Sequence, residues 1–135
     1  MKDAKSSLLN FRENGDQRGK LVAIEGTKDV PFQIARIFYI YGSDSKMIRG
    51  CHANRNSQFV LMNVQGSSTI KVTNGIQEET YQLDKPYKGV YIPAMLWKEM
   101  YDFSPDSVLL CLASHPYDAG EYIRDYETYL EEMRG

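Results

Sequence analysis

Apolar and polar residues alternate along most of this chain with a period of two, the spacing of strands that bury one face. Residues 20–25 and 32–41 are rich in β-branched and aromatic side chains and are separated by Gly26 and Pro31, so they predict two strands and a connection. In the second run Phe32, Ile34, Arg36, Phe38 and Ile40 share a face, which makes Arg36 a polar residue pointing inward from an apolar row. Residues 43–56 lose the period and carry Arg49-Gly-Cys-His-Ala-Asn54, which predicts a loop or a short strand entering a site. Further β runs follow at 58–64, 69–73, 79–83, 89–92, 97–103 and 108–113. Between two of them, Asn74-Gly75 predicts a hairpin with a type I′ turn, because both residues tolerate positive φ. About eight short strands punctuated by turns predict an all-β fold, an antiparallel sandwich or barrel.

The period changes near the C-terminus. Asp118 and Glu121 have the spacing of a capping box and predict a helix beginning there. Tyr122, Ile123, Tyr126, Tyr129, Leu130 and Met133 follow at helical spacing as one apolar stripe, for a sheet or a second subunit to cover.

Composition narrows the function classes. With 135 residues the chain has room for one domain, residues 1–135. Its longest apolar runs, such as residues 107–113, fall far short of the roughly 20 residues that span a bilayer, and the polar start has no signal-like apolar stretch. The expectation is a cytoplasmic protein with no membrane partner, whose Cys51 and Cys111 stay thiols. Sixteen basic against eighteen acidic residues give no positive field, so nucleic acid is not an expected partner. Tyrosine dominates the aromatic content, which suits a pocket with hydroxyls in its wall.

Of two histidines, His115 precedes a proline at the edge of the terminal helix and reads as a connection residue, whereas His52 sits among Arg49, Asn54, Arg55 and Gln58. His52 is the candidate acid–base residue. His52-x-Asn54, then Gln58 and Gly66, resembles the first metal motif of the cupin superfamily, and Pro93-Ala-Met-Leu-Trp-Lys98 resembles the second. Asn54, Gln58 and Lys98 then stand at three of the four ligand positions. Amides bind transition metals weakly and an ammonium has no lone pair, so no metal is expected.

A closer resemblance covers most of the chain. Asp16-Gln-Arg-Gly-Lys-Leu-Val-Ala-Ile-Glu25, Val30-Pro-Phe-Gln-Ile-Ala-Arg-Ile-Phe-Tyr-Ile40, Arg49-Gly-Cys-His-Ala53, Leu96-Trp-Lys-Glu-Met-Tyr-Asp-Phe103, Val108-Leu-Leu-Cys-Leu-Ala-Ser114 and Tyr117-Asp-Ala-Gly-Glu-Tyr-Ile-Arg-Asp-Tyr126 are similar to blocks of the sugar 3,4-ketoisomerases. The resemblance implies a cupin-type antiparallel jelly roll with a short C-terminal α-helix. It also implies a metal-free homodimer with exchanged N-terminal strands, needing no cofactor and acting on dTDP-4-keto-6-deoxyglucose in the synthesis of deoxysugars for surface glycans. By the same resemblance His52, Tyr39 and Asn54 are the catalytic candidates, and Arg18, Arg49 and Lys98 the substrate-binding ones. Asn54 stands where the family has the second histidine of a His-x-His pair, and an amide cannot exchange a proton near neutral pH. Two other readings therefore accompany the ketoisomerase: a nucleotide-sugar-binding protein with impaired catalysis, and an isomerase or epimerase of a related keto sugar.

Overall fold

The period-two runs fold as two antiparallel sheets whose apolar faces meet. The computed structural model describes residues 4–135, so Met1, Lys2 and Asp3 of the leader lie outside the described residues. In chain order the strands are β1 (Ser7–Asn10), β2 (Glu13–Asp16), β3 (Gly19–Val22), β4 (Arg36–Tyr41), β5 (Arg49–Asn54), β6 (Phe59–Gln65), β7 (Ser68–Thr73), β8 (Glu78–Leu83), β9 (Lys88–Ile92), β10 (Trp97–Tyr101), β11 (Val108–Ala113) and β12 (Tyr122–Ile123), followed by helix α1 (Tyr126–Arg134). One sheet has the order β1-β9-β6-β11-β4 and the other β12-β5-β10-β7-β8. A single cluster joins them: Phe59, Leu61, Val90 and Leu109 from the first pack with Ile70, Val72, Leu83 and Met100 from the second. This is the expected cupin-type jelly roll. Among the described residues no helix is long and apolar enough to cross a membrane.

The first two predicted strands are shorter than their sequence pattern. In the connection the Asp29 carboxylate accepts from the Glu25 amide, and the Thr27 amide donates to the Phe32 carbonyl, so turn contacts consume backbone groups that a ladder would need. Phe32 leaves the strand pattern and, with Val30, covers the outer face of the first sheet, against Phe11, Val60, Met62 and Leu112. Strands β2 and β3 form a separate two-stranded sheet, an arm on which Leu21 is exposed. β1 pairs with β9 of its own chain.

The Asn74-Gly75 hairpin forms, but not with a type I′ turn. Gly75 has φ +92° while Asn74 keeps negative φ and instead accepts, through Oδ1, from the amides of Ile76 and Gln77. That side-chain turn stretches the loop to four residues, 74–77.

The helix starts later than the capping-box spacing predicts. Asp118 caps only a 3₁₀ turn, Ala119–Glu121, and Glu121 does not reach back to it. Its carboxylate turns inward and accepts from the amides of Asn56 and Ser57 and from the Ser57 hydroxyl. Tyr122 and Ile123 then extend the second sheet as β12, opposite Asn54 and Ala53. The cap of α1 is Asp125, whose carboxylate accepts from the Thr128 amide at 3.0 Å. The remaining stripe covers the outer face of the second sheet, with Tyr129 buried against Trp97, Ala53 and Ile123. The Tyr129 hydroxyl lies 2.9 Å from the Met95 carbonyl and 3.1 Å from that of Thr73, within reach of both strand ends.

Candidate active site

β5 and β10 are neighbours in the second sheet, and their register places Lys98 opposite His52. Paired positions project to the same face, so imidazole and ammonium enter the space between the sheets together. A bulge interrupts this pairing between Lys98 and Glu99. Gly50 makes it possible, because its φ is +81° and a Cβ there would come within 2.9 Å of the Lys98 carbonyl. The result is a cavity of about 220 Å³ lined by His52 and Lys98, by Phe38 and Phe59, and at its mouth by Arg49 and Arg124.

The His52 ring is oriented by two contacts. Nδ1 lies 3.3 Å from the Gly50 carbonyl, and a carbonyl only accepts, so this contact puts the proton on Nδ1 and leaves Nε2 with its lone pair. The ring packs against Tyr122 with centroids 4.8 Å apart. Burial, then the charges of Lys98 and Arg124, lower its pKa to about 3 against the opposing pull of Glu121. His52 is therefore uncharged at neutral pH, with the Nε2 lone pair free of a proton.

Lys98 is 2% exposed. Its Nζ donates to Asn54 Oδ1 at 3.1 Å and sits 4.6 Å from the centre of the Phe59 ring. Burial lowers its pKa to about 7, and the nearby Glu121 carboxylate and Cys111 pull the other way. Burial also pushes Glu121 up, but the hydrogen bonds from Ser57 and the Asn56 amide, with the Asn54 amide nearby, outweigh it, so the carboxyl lies below its ordinary range. The Cys111 thiol is pushed up to about 12 by burial. One buried anion thus faces one buried cation across the Asn54 amide. The Asn54 Nδ2 points toward that anion without a hydrogen bond of good geometry.

The structure brings His52, Lys98 and Arg49 together on the cavity wall and places Asn54 behind Lys98, away from the lining. Gln58, at a cupin ligand position, is drawn aside to accept from the Tyr91 hydroxyl at 2.6 Å. Among the described residues no group of three or more His, Cys, Asp or Glu has the geometry to hold a metal ion.

Two candidates are not brought to His52 within this chain. Tyr39 lies on the outer face of β4, 61% exposed and stacked on Tyr41 with ring centroids 6.2 Å apart. The pleat dictates this, since Phe38 and Ile40 on either side of it line the cavity. Arg18 is in the tight turn of the β2–β3 arm, with its guanidinium on Asp16 of the same turn. Conversely, the site includes Tyr122 and Arg124, which the helical reading of 118–135 had assigned to a helix. Arg36 points inward as its period predicts and donates from Nη2 to the Tyr122 hydroxyl at 3.2 Å. The Arg124 guanidinium lies over the Tyr122 ring, 4.6 Å from its centroid. The signal for both was the block at 117–126, whose period-two start was masked by helical spacing further on.

Comparison with known proteins agrees over nearly the full length. A family model described as FdtA: WxcM-like, C-terminal matches residues 4–134. The chain is 41% identical over 126 residues to the TDP-4-oxo-6-deoxy-alpha-D-glucose-3,4-oxoisomerase of Aneurinibacillus thermoaerophilus, covering 92% of this chain and 89% of that protein. Its fold superposes on a 3,4-ketoisomerase from Helicobacter canadensis with a TM-score of 0.94 at 38% identity, over 96% of this chain and 98% of the other. A mutant of the 3,4-ketoisomerase QdtA from Thermoanaerobacterium thermosaccharolyticum, in complex with TDP-4-keto-6-deoxyglucose, superposes with a TM-score of 0.93 at 37% identity, over 96% and 94%.

Proposed function

Because the chain belongs to the FdtA family, whose characterised relatives are sugar 3,4-ketoisomerases, we propose that it converts a TDP-linked 4-keto-6-deoxyhexose to its 3-keto isomer at the His52 cavity. The cavity lies below the roughly 300–1,000 Å³ of pockets that enclose drug-sized ligands, so it suits the sugar ring, with the nucleotide left at the mouth. There Arg49 and Arg124 offer guanidinium forks to the diphosphate.

The observation that carries the reading is the oriented, uncharged imidazole beside a buried ammonium. Moving the carbonyl from C4 to C3 means removing the C3 proton, passing through an enediol, and protonating C4. Nε2 of His52 is the base for C3, and the imidazolium it becomes returns the proton to C4. Adjacent ring carbons are close enough for one imidazole to serve both faces of the step. Asn54 holds Lys98 in place rather than touching the sugar.

The molecule is proposed to work as a homodimer in the cytoplasm, supplying deoxysugars for surface glycans. β4 ends its sheet as an open edge whose outer face exposes Ile37, Tyr39 and Tyr41, an apolar strip that a second copy would cover. The exchanged element is the β2–β3 arm rather than β1, which is held by β9. Carried to a second copy, the arm would bring Arg18 to the mouth of that copy's cavity. On this reading Tyr39 belongs to the interface.

The test is NMR of the purified protein with TDP-4-keto-6-deoxyglucose in D₂O. The 3-keto product is expected, and His52→Asn should lower turnover by about 10²–10⁴-fold or more without lowering the melting temperature. Unchanged substrate with the unaltered protein would overturn the proposal; binding without reaction would leave a sugar-nucleotide-binding protein in its place.

A further inference from the structure

Isomerisation moves two kinds of proton. One leaves C3 and arrives at C4, while another is gained by the oxygen on C4 and lost by the oxygen on C3. The imidazole accounts for the first pair, and the second needs a group that both donates and accepts. Arg49 and Arg124 stand exposed at the mouth, and the Asn54 amide does not exchange its proton. The Tyr122 hydroxyl accepts from Arg36, and it is the ring rather than the hydroxyl that packs on His52. Lys98 remains: its Nζ uses one N–H on Asn54 and has two more, beside the imidazole and over the Phe59 ring.

Resting on the ketoisomerase reading, we propose that Lys98 is the second proton carrier of the site. As His52 takes the C3 proton, the Lys98 ammonium gives one of its own to the C4 oxygen, and a neutral enediol forms. As the imidazolium protonates C4, the Lys98 amine takes the proton from the C3 hydroxyl and the C3 carbonyl forms. Both side chains end as they began, with no net gain or loss of protons. A covalent imine is not used, since rearrangement of a C4 imine would leave nitrogen bonded to C4 in the product.

The surroundings suit the exchange. The charged or titratable groups around Nζ are His52 from β5, Cys111 from β11 and Glu121 before β12, with Arg124, Arg49 from β5 and Arg36 from β4 completing the polar surroundings. With its pKa near 7, both forms of Lys98 are populated at neutral pH. Its positive charge also suppresses His52, so loss of the Lys98 proton strengthens the imidazole as a base at the moment it is needed.

The test is steady-state kinetics across the neutral pH range with TDP-4-keto-6-deoxyglucose. The unaltered protein should lose kcat as pH rises and the ammonium is depleted. Lys98→Arg keeps the charge but cannot release a proton, so kcat should fall about 10²–10⁴-fold with KM little changed and the alkaline limb absent. Should the guanidinium not pack, Lys98→Met gives the same expected loss. Full kcat in either single variant, or the same alkaline limb in Lys98→Arg, overturns the role of Lys98 alone. No product from the unaltered protein overturns the ketoisomerase reading beneath it.

Discussion

Lys98 and His52 both resist protonation, because the space between the sheets solvates charge poorly, and the Lys98 charge adds to the cost of charging His52. For Lys98 this has a consequence for stability. Unfolded, its pKa is about 10.4, whereas folded it is about 7. As pH falls between these values, the unfolded chain takes up a proton that the folded chain refuses, so stability is lost; above them the contribution is fully present. Compared with Lys98→Met, the unaltered protein should gain up to about 2 kcal/mol between about pH 7 and pH 9 in urea unfolding. A pH-independent difference would mean that burial does not hold this amine near neutrality. Residue types singled out His52, Arg49 and Lys98 in the sequence as polar residues at motif positions, and all three line the cavity. Tyr39 faces away from this chain's cavity, as the period of its neighbours Phe38 and Ile40 already implied. The link between Asn54 and Lys98 was not legible, because it depends on which strands become neighbours.

At the scale of elements, the alternating runs from 58 to 113 announced their strands well, since each is bounded by turn residues and buries one face. The terminal helix was announced with the wrong start. Capping-box spacing predicts a helix only if the glutamate is free to turn back, and here the buried amides of Asn56 and Ser57 claim it. Asp125→Ala should therefore cost about 1 kcal/mol of stability by loss of the true helix cap, measured by urea unfolding. Asp118→Ala should cost less, since it caps a three-residue turn. Equal costs would return the helix start to Asp118. The same inward turn of Glu121 lets the chain run on as β12, which is how Tyr122 comes to pack on the His52 imidazole.

At the scale of the whole molecule, the jelly roll was legible from strand number and turn spacing, but the arm was not. Its residues alternate like any strand, and nothing in that pattern says that β2 and β3 pair only with each other. If the arm crosses to a second copy as proposed, each site becomes a joint product of two chains. Two crippled proteins should then repair one another: Arg18→Ala mixed with His52→Asn, unfolded and refolded together, should regain turnover that neither shows alone. In a mixed pair the intact imidazole of one chain meets the intact arm of the other, giving one working cavity. No recovery would confine each site to a single chain. The open arm thus turns a question of shape into one of inheritance, because two defective copies of the gene could complement each other in one cell.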